Sequence, residues 1–564
     1  MSTPNLARIV TAAYAVSLVI AVLVLRPGCV QLVVWASFEK SELMGTIADR
    51  YELTRPSEDL RCVDIKVVRK ASGEAEQALA HAVFESSEGR PDVWSPAAST
   101  WLDLFEQHRI ASGVPAFVPA ARGPSILRSP LVIAMPEPMA RALGWPTSDL
   151  SWAEIFKLAQ DPEGWASRGH PEWGRFKLGK TNPLWSTSGL HALVATYLTA
   201  GGGSIDEAGV RTFMRGVEQS VVHYGSTVSG FLKNLADADD HDEVYSYVSA
   251  IAIEEKQVLD YNDGNPEFHA SGKRLPPKIR LVPVFPRGGT LVADHPYVVL
   301  DAPWVNDQER RAAARFLDHL KSDAIQQEFM ANGFRGARGE TGPVIPELDR
   351  FKGGTLLSVD AATLAKVQAS WAGYRKRARV LFIVDVSSSM GDKVGSASAS
   401  KLDLAKQALT SALGEFAPED EVGLWALAGM ERRELLGVGQ LRDQAAQLRS
   451  EIDRLKPEGN GKSLYATVAG AVASIRQRFD RDKINAVILL TDGRNDDPAN
   501  SDLIGLVRTL RPEDQRVRVF TIAYGAGADL DALGQIALAS RGARYEAADS
   551  SVIGHAVLEA VSNF

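Results

Sequence analysis

The stretch from Val380 to Gly391 constrains the fold of this chain most, because a run of apolar residues ends there in an acidic, hydroxyl-rich turn. The residues before Asp385 are apolar, as expected for a buried central strand of a parallel sheet. Ligands bind to such sheets where the strands end, so we expect Asp385, Ser387 and Ser389 in a loop at the strand's carboxyl end. One carboxylate and two hydroxyls suit Mg²⁺ or Mn²⁺ better than Zn²⁺. Alone, the pattern most often marks a capped helix start.

A second apolar strand ends in the same way. Residues 485–490 are mostly apolar and are followed by Thr491, Asp492 and Gly493. Two buried strands that each end in a carboxylate can point at one crevice of a parallel sheet. Together the two segments resemble the von Willebrand factor A domain and its metal-ion-dependent adhesion site. The resemblance covers the chain from about Ala378 to its end.

The resemblance to the A domain implies a doubly wound, Rossmann-like sheet that binds Mg²⁺ or Mn²⁺. It implies that Ser387 and Ser389 are direct ligands of the metal ion. Asp385 and Asp492 would hold the ion largely through bound water. A site of this kind keeps an open coordination position for a carboxylate of a partner protein, so the resemblance also implies protein binding.

The family's remaining metal ligand is a threonine, usually within the sequence Gly-Gly-Thr-x-Leu-Tyr. The matching stretch, residues 459–465, is Gly-Asn-Gly-Lys-Ser-Leu-Tyr, which puts Lys462 in the threonine position. A lysine ammonium has no lone pair to offer a cation, and its own charge repels one. Either Ser463 supplies the hydroxyl after a shift of one residue, or the metal site is weakened or lost.

The composition, with 45% hydrophobic and 23% charged residues, is that of an ordinary globular protein. A chain of 564 residues is too long for one hydrophobic core and predicts two or three domains. A formal net charge of −8 argues against general nucleic-acid binding. The ten histidines form no His-Glu-x-x-His pattern. Because no paired acid and base and no nucleophile with an orienting histidine accompany the site, we expect that the protein is not an enzyme.

An uncharged apolar segment lies near the N-terminus. Ile9 to Leu25 comprises 17 residues without a charge, at the lower end of the length of a membrane-spanning helix. We expect a retained transmembrane helix that leaves the bulk of the chain outside the cytoplasm. The alternatives are a cleaved signal peptide, although no Ala-x-Ala follows, and a lipoprotein that is modified at Cys29.

Strands and helices alternate after this segment, as in βαβ units over a parallel sheet. Six segments in order also resemble a bacterial extracellular solute-binding protein of the two-lobed, venus-flytrap type. They are Val34–Ser37, Ser129–Pro136, Trp152–Phe156, Thr181–Gly189, Phe285–Thr290 and Phe316–Phe334. The resemblance spans Val30 to Asp349 and implies an α/β module that binds a small solute.

Several hydroxyls are candidates for the solute pocket. Ser186, Thr187 and Ser188 precede a predicted helix, where free backbone N–H groups and the helix dipole favour an anionic or polar ligand. Alternatively these hydroxyls only cap the helix. The resemblance to solute-binding proteins also places Ser37, Ser95 and Tyr261 at the pocket by their position in the family's plan.

The two cysteines of the chain are Cys29 and Cys62. In the family's sheet the first two strands are parallel neighbours, and each cysteine lies at the start of one of them. The resemblance therefore implies a disulfide between them if the chain faces an oxidising compartment. A lipidated Cys29 and two free thiols are the alternatives.

We therefore expect an α/β chain of four parts. Residues 1–28 are a membrane anchor or signal segment, residues 29–355 the solute-binding module, residues 356–377 a connecting helix, and residues 378–564 the A-domain. The expected function is recognition of an unknown small solute and of a protein carboxylate at the metal ion. The alternatives are a receptor of an ABC importer with the A-domain as an assembly contact, and an adhesion scaffold whose flytrap binds nothing.

Overall fold

The structure is a computed structural model that describes residues 28–59, 61–84, 88–147, 150–269, 273–342, 355–394, 399–512, 515–547 and 553–564. The chain forms two compact units, and its first unit comprises residues up to 129 together with residues 293–346. The second unit comprises residues 130–292 and 347–564. The predicted membrane helix, Ile9 to Leu25, lies outside the described residues. Within the described ranges, no helix is long and apolar enough to cross a membrane.

The first unit, here called the first lobe, is built on a five-stranded sheet. Its strands, in spatial order, are Val298–Val299, Val93–Ser95, Val30–Ala36, Arg61–Arg69 and Ser57–Glu58. Its helices are Phe38–Leu53, Ser72–Ala80, Thr100–Ser112, Asp307–Leu320 and Asp323–Ala331. Val30–Ala36 runs parallel to both of its neighbours. Its buried side chains Leu32 and Val34 pack with Phe316 and Phe329 in one hydrophobic core.

Cys29 and Cys62 form a disulfide in the first lobe. The register of the two parallel strands explains this pairing, because Val30 lies opposite Val63 and the residue before each is a cysteine. The two Cα atoms are 4.5 Å apart, within the range that a disulfide spans. The structure thus contains the bond that the family resemblance implies.

The second lobe, residues 130–292 of the second unit, has a mixed sheet. Leu127–Pro136 enters it from the first lobe and pairs antiparallel with Ala250–Glu254 and Leu281–Val284. Leu178–Thr181 lies parallel to Ala250–Glu254 and to Val221–Gly225. Its α-helices are Glu137–Ala142, Trp152–Ala159, Thr187–Thr199, Ala208–Ser220, Val228–Asp240, Val244–Tyr247 and Glu255–Asn262. Short 3₁₀ turns cover Gly164–Arg168 and Pro171–Trp173, and the short strands Val292–Ala293 and Arg335–Gly336 also pair with Leu127–Pro136.

The A-domain has a six-stranded sheet with helices on both faces. The strands, in spatial order, are Glu431–Gln440, Glu421–Ala428, Arg377–Asp385, Lys483–Thr491, Arg518–Tyr524 and Arg544–Ala547. Its α-helices are Lys401–Ala412, Leu441–Arg454, Leu464–Gln477, Leu503–Leu510, Leu530–Ser540 and Ile553–Val561. Short 3₁₀ turns cover Ser388–Gly391, Leu413–Glu415 and Pro498–Asn500. All neighbouring strands are parallel except Glu431–Gln440, an antiparallel edge strand. This is the doubly wound sheet that the sequence predicts.

The helix Ala361–Tyr374 joins the second lobe to the A-domain and packs against the second lobe. Gln368 Nε2 donates to the carbonyl of Pro183 at 3.1 Å, and the Tyr374 hydroxyl donates to the carbonyl of Ile205 at 3.1 Å. At the other end of the A-domain, the Asn563 carbonyl accepts a hydrogen bond from the backbone of Tyr224 at 3.2 Å. The second lobe and the A-domain therefore make a single compact unit.

Candidate functional site

The carboxyl edge of the A-domain sheet brings four predicted site residues together. The strands Arg377–Asp385 and Lys483–Thr491 are parallel, with Val384 opposite Leu490, so Asp385 and Thr491 end at the same level. Asp385 is completely buried. Its carboxylate accepts hydrogen bonds from the Ser387 backbone at 2.9 Å and from the Thr491 hydroxyl at 2.6 Å.

The two serines complete the cluster. The hydroxyl oxygens of Ser387 and Ser389 lie 3.1 Å apart. The Ser389 hydroxyl donates to Oδ1 of Asp492 at 2.8 Å. Asp385, Ser387, Ser389 and Asp492 therefore form one connected group of oxygen atoms at the sheet edge.

Lys462 projects into this group of oxygens. Its Nζ lies 3.0 Å from Oδ1 of Asp492, 3.3 Å from the hydroxyl of Ser389 and 3.6 Å from Oδ2 of Asp385. The side chain is only 8% exposed. A second lysine, Lys401, binds the other oxygen of Asp492 at 2.8 Å. Both carboxylates of the cluster are thus matched by ammonium groups of the chain itself.

Ser463 does not supply the hydroxyl that a shift of one residue would place at the cluster. Its hydroxyl donates to Oδ2 of Asp497 at 2.5 Å. The residue immediately precedes the helix Leu464–Gln477, and its side chain makes no capping hydrogen bond to that helix. The Asp497 carboxylate is itself fixed, because it also accepts hydrogen bonds from Asn500 and from the backbone of Ala499.

The charges of the cluster shift the pKa values of its members. Burial raises the pKa of the Asp385 carboxyl, and the nearby Lys462 only partly offsets this effect. Burial alone would raise the pKa of Asp492, but hydrogen bonds from Lys401, Lys462 and Ser389 lower it overall. Burial opposes the charge of Lys462, yet the two aspartates raise its pKa. At neutral pH, Asp492 and Lys462 form an ion pair.

The donor set of this edge does not fit a divalent metal ion. Three acceptors that a cation would use already accept from or face the Lys462 ammonium. The family's third hydroxyl ligand is missing, because Lys462 has replaced it and Ser463 is directed elsewhere. An ammonium group among the ligands repels a cation and offers it no lone pair.

A second polar cluster lies in the first lobe, at the carboxyl ends of its parallel strands. Ser37 follows the strand Val30–Ala36, and Ser95 ends the neighbouring strand. Their backbones are joined, since the Ser37 N–H donates to the Ser95 carbonyl at 3.2 Å. The buried Nζ of Lys40 donates to the Ser37 hydroxyl at 2.7 Å and lies 3.1 Å from Nδ1 of His295.

Glu39 completes the first-lobe cluster. Its carboxylate accepts a hydrogen bond from the Ser37 hydroxyl and lies 3.4 Å from Nδ1 of His295. The Ser95 hydroxyl donates to the carbonyl of Pro296 at 2.8 Å. This group of buried polar side chains lies at the end of the parallel strands, the edge at which α/β sheets generally bind ligands.

The matching hydroxyls of the second lobe begin the helix Thr187–Thr199. Ser186 is the N-cap residue, but its side chain makes no capping hydrogen bond. Its oxygen accepts from the Thr181 hydroxyl at 2.9 Å. The Ser188 hydroxyl donates to Oε1 of Gln257 at 3.4 Å, so the alternative that these hydroxyls only cap the helix does not describe Ser186 or Ser188.

Two family models match this chain, one after the other. The model of the bacterial extracellular solute-binding proteins matches residues 32–335. The chain belongs to this family. A model of the von Willebrand factor type A domain matches residues 380–558, so this solute-binding protein carries an A-domain after its binding module.

Two relatives resemble most of this solute-binding protein. They are uncharacterized proteins of Mycobacterium tuberculosis, one from strain CDC 1551 / Oshkosh and one from strain ATCC 25618 / H37Rv. Each is 23% identical over 506 residues, which is 86% of this chain and 69% of the relative. The similarity therefore extends across both the solute-binding module and the A-domain.

Solved structures resemble each part separately. The periplasmic binding protein AfuA from Actinobacillus pleuropneumoniae, with exogenous fructose-6-phosphate bound, is 15% identical with a TM-score of 0.41. The similarity covers 62% of this chain and 99% of AfuA. A von Willebrand factor type A protein from Catenulispora acidiphila is 20% identical with a TM-score of 0.28, over 33% of this chain and 42% of that one.

The remaining candidate of this solute-binding protein, Tyr261, lies on the helix Glu255–Asn262, four residues after the Gln257 that binds Ser188. Its ring is buried, and its hydroxyl has no hydrogen-bond partner among the described residues. The charged groups that act on it are Asp239, Asp240 and Arg274, and burial raises its pKa well above the ordinary value. Tyr261 is therefore buried near the acidic end of the helix Val228–Asp240.

A cavity of about 450 Å³ lies between the second lobe and the A-domain of this solute-binding protein. Its charged side chains are largely paired with one another. Arg274 binds Asp237 at 2.6 Å and Asp240 at 2.9 Å, and Lys233 binds Asp237 at 3.2 Å. Several charges of the cavity are therefore balanced by neighbouring side chains.

Sequence reasoning missed several functional candidates of this solute-binding protein. Lys401, Lys40 and His295 contact predicted site residues in the fold. A weak signal existed for Lys40, because it follows Ser37 in the first turn of the helix after a buried strand. No sequence signal connects Lys401 to Asp492, or His295 to Lys40, across such separations in the chain.

Proposed function

We propose that this protein is a membrane-anchored, extracytoplasmic binding protein of bacteria, and not an enzyme, that recognises a small polar solute and a partner protein. The observation that carries the proposal is the buried polar cluster at the carboxyl ends of the first-lobe strands. Ser37, Lys40 and Ser95 supply hydroxyls and a positive charge there. Because these donors already bind groups of the chain, the cluster gives the ligand face its shape and polarity rather than free donors.

The solute half of the proposal predicts that a polar ligand binds at the face that Lys40 holds together through its contacts with Ser37, Pro96 and His295. The full chain would be screened with a panel of sugars, sugar phosphates, amino acids and carboxylates by thermal shift, followed by calorimetry of each hit. The Lys40→Met variant removes the buried ammonium but keeps a side chain of similar length. The control is Lys321→Met, an exposed lysine of the same lobe.

A solute that stabilises the native chain and Lys321→Met, but binds Lys40→Met at least tenfold more weakly, supports the proposal. Equal binding by Lys40→Met counts against the assigned cluster. A folded chain that releases no small molecule on denaturation and responds to no member of the panel favours the scaffold alternative.

The protein half of the proposal rests on the A-domain edge. Asn460 is exposed there, and its side chain accepts a hydrogen bond from the Ser388 hydroxyl at 2.9 Å. A partner that docks on this edge contacts these loops. The sequence predicts a metal-dependent contact, but the contact proposed here needs no metal ion, because Lys462 lies among the acceptors that would hold one.

A photo-crosslinking amino acid at position 460 tests the docking edge in living cells. Arg511 is the control position, because it is exposed and lies on the loop before the amino end of strand Arg518–Tyr524. A cross-linked product from position 460 and none from position 511 supports the proposal. The same product from both positions, or from neither, contradicts it.

The location of the protein is a further part of the proposal. Ile9 to Leu25 supports a membrane anchor, and the disulfide between Cys29 and Cys62 supports an oxidising compartment. Cell fractionation of the full chain and of a chain that begins at residue 28 tests the anchor. Membrane recovery of the full chain and release of the shortened one is the expected outcome, and equal distribution of both would contradict it.

A further inference from the structure

We infer that the ammonium of Lys462, together with that of Lys401, takes the place of the divalent metal ion at the A-domain edge, so that this edge is built and works without metal. The inference concerns the cation of the site. It does not depend on which solute or partner protein the chain binds.

The first argument is geometric. Lys462 Nζ faces three oxygens, one each from Asp492, Ser389 and Asp385, at 3.0, 3.3 and 3.6 Å. An ammonium group has three N–H donors, and these three oxygens are within reach of them. The group therefore bridges both strand ends and the serine loop, which are the elements that a metal ion joins in the A-domain family.

The second argument is the charge of the site. Asp385 and Asp492 contribute two carboxylates, and both are nearly inaccessible to solvent. Buried carboxylates require compensation by positive charge, since an unpaired buried charge is strongly destabilising. Lys462 and Lys401 together supply two positive charges, which is the charge of one divalent cation.

The third argument is the space around Lys462. Gly493 follows Asp492, and a Cβ atom added at Gly493 would overlap Nζ of Lys462. The backbone of Lys462 is also fixed, because its carbonyl accepts from the backbone N–H of Asp496 at 2.8 Å. The loop therefore leaves space for the Lys462 side chain beside Gly493, and the fixed backbone of Lys462 keeps the side chain there.

This arrangement changes what the edge can offer to a partner. A metal ion keeps an open coordination position, whereas the Lys462 ammonium is directed inward and its side chain is 8% exposed. A partner carboxylate finds no electrophilic cation at the surface. Binding of a partner at this edge should therefore be unaffected by chelators.

Calorimetric titration of MnCl₂ into the full chain tests the inference, with loss of the free Mn²⁺ signal in electron paramagnetic resonance as a second readout. Three proteins are compared: the native chain, Lys462→Thr, which restores the family's hydroxyl, and Lys456→Thr as a control at an exposed lysine of the same domain. We expect no binding by the native chain or Lys456→Thr, and one Mn²⁺ bound by Lys462→Thr. Asp385→Asn in the Lys462→Thr background should abolish that binding.

Thermal unfolding supplies an independent readout. EDTA should leave the Tm of the native chain unchanged. Lys462→Met should lower the Tm by roughly 10 °C, since Asp385 then loses its neighbouring ammonium and Asp492 keeps only Lys401. Stoichiometric Mn²⁺ binding by the native chain would overturn the inference. It is also overturned if neither the native chain nor Lys462→Thr binds Mn²⁺ and Lys462→Met unfolds at the native Tm.

Discussion

The indole N–H of Trp371 donates a hydrogen bond to Oε2 of Glu218 at 3.3 Å, and this contact joins the connecting helix to the core of the second lobe. Glu218 is completely buried and also pairs with Lys180, which is equally buried. The Tyr224 hydroxyl donates to the same carboxylate, and its ring lies edge-on to Trp371 with centroids 5.2 Å apart. The connecting helix is therefore anchored in a polar core.

Replacement of Trp371 by Ala should uncouple the A-domain from the second lobe. The substitution removes a large buried side chain and a hydrogen bond to a buried carboxylate, with an expected cost of about 3–5 kcal/mol. Differential scanning calorimetry should show an additional, earlier transition that the native chain lacks. Trp371→Phe is the matched control, because it keeps most of the packing and should shift the transition by a smaller amount. An unchanged thermogram of Trp371→Ala would refute this anchoring role.

Asp420 should be essential for the stability of the A-domain. It is fully buried, pairs with the buried Arg375 and accepts backbone hydrogen bonds from Ala378 at 2.8 Å and Ala417 at 2.7 Å. Asp420→Ala leaves Arg375 as an uncompensated charge and should lower the free energy of unfolding by about 3–5 kcal/mol.

The neighbouring residue Glu419 provides the control for Asp420. Its side chain is 46% exposed and lies 3.5 Å from Arg377. Surface ion pairs contribute little, so Glu419→Ala should change the free energy of unfolding by less than about 1 kcal/mol in urea denaturation. Equal effects of the two substitutions would contradict the assigned role of Asp420.

Reduction of the disulfide between Cys29 and Cys62 should destabilise the first lobe. The bond closes a loop with a sequence separation of 33 residues. The loss of this constraint on the unfolded chain should cost about 3–4 kcal/mol. Urea denaturation of the native chain with and without dithiothreitol measures the effect. The Cys29→Ser/Cys62→Ser variant should match the reduced protein and be insensitive to dithiothreitol, and a native curve for this variant would show that the bond does not stabilise the lobe.

Asp92 should make the stability of the first lobe depend on pH. Burial raises the pKa of this carboxyl from its ordinary value of 3.8 to about 7, against the lowering effect of the hydrogen bond from the Val33 backbone. Between these two pKa values the folded state holds a proton that the unfolded state has lost. Stability from this group therefore falls as the pH rises from about 4 to about 7.

Asp92→Asn removes this ionisation and tests its sign. The variant should gain stability relative to the native chain as the pH rises through that window, by roughly 2–4 kcal/mol above pH 7. Below pH 4 the two proteins should differ little. Asp64→Asn, at an exposed aspartate of the same sheet, is the control. A stability difference that does not change with pH would contradict the prediction.

Much of the architecture is predictable from the sequence because its strands are continuous apolar runs. The predicted apolar runs before Asp385 and Asp492 form the strands Arg377–Asp385 and Lys483–Thr491, and the connecting segment 356–377 contains the helix Ala361–Tyr374. The edge strand Glu431–Gln440 escapes prediction for a physical reason. It is the antiparallel edge of the sheet, so most of its residues are exposed and charged and it lacks the apolar run of a buried strand.

The candidate site was predictable only where residues are close in the chain. Asp385, Ser387 and Ser389 share one turn, and Asp492 follows a similar strand. The direction of the Lys462 side chain was not predictable, because a lysine beside a loop usually extends its ammonium into water. In the fold, the Lys462 ammonium points inward, because two carboxylates lie beside it and Gly493 has no Cβ atom that would occupy its place.

The hydrogen bonds of the connecting helix have a mechanical consequence. The helix contacts three different segments of the second lobe, through Gln368, Trp371 and Tyr374. The A-domain is therefore connected to this lobe by a packed helix and not by a flexible linker. A protein that binds the A-domain is thereby rigidly connected to the second lobe of the solute-binding module. A force that such a partner applies to the A-domain therefore acts directly on the lobe that carries Ser186 and Ser188.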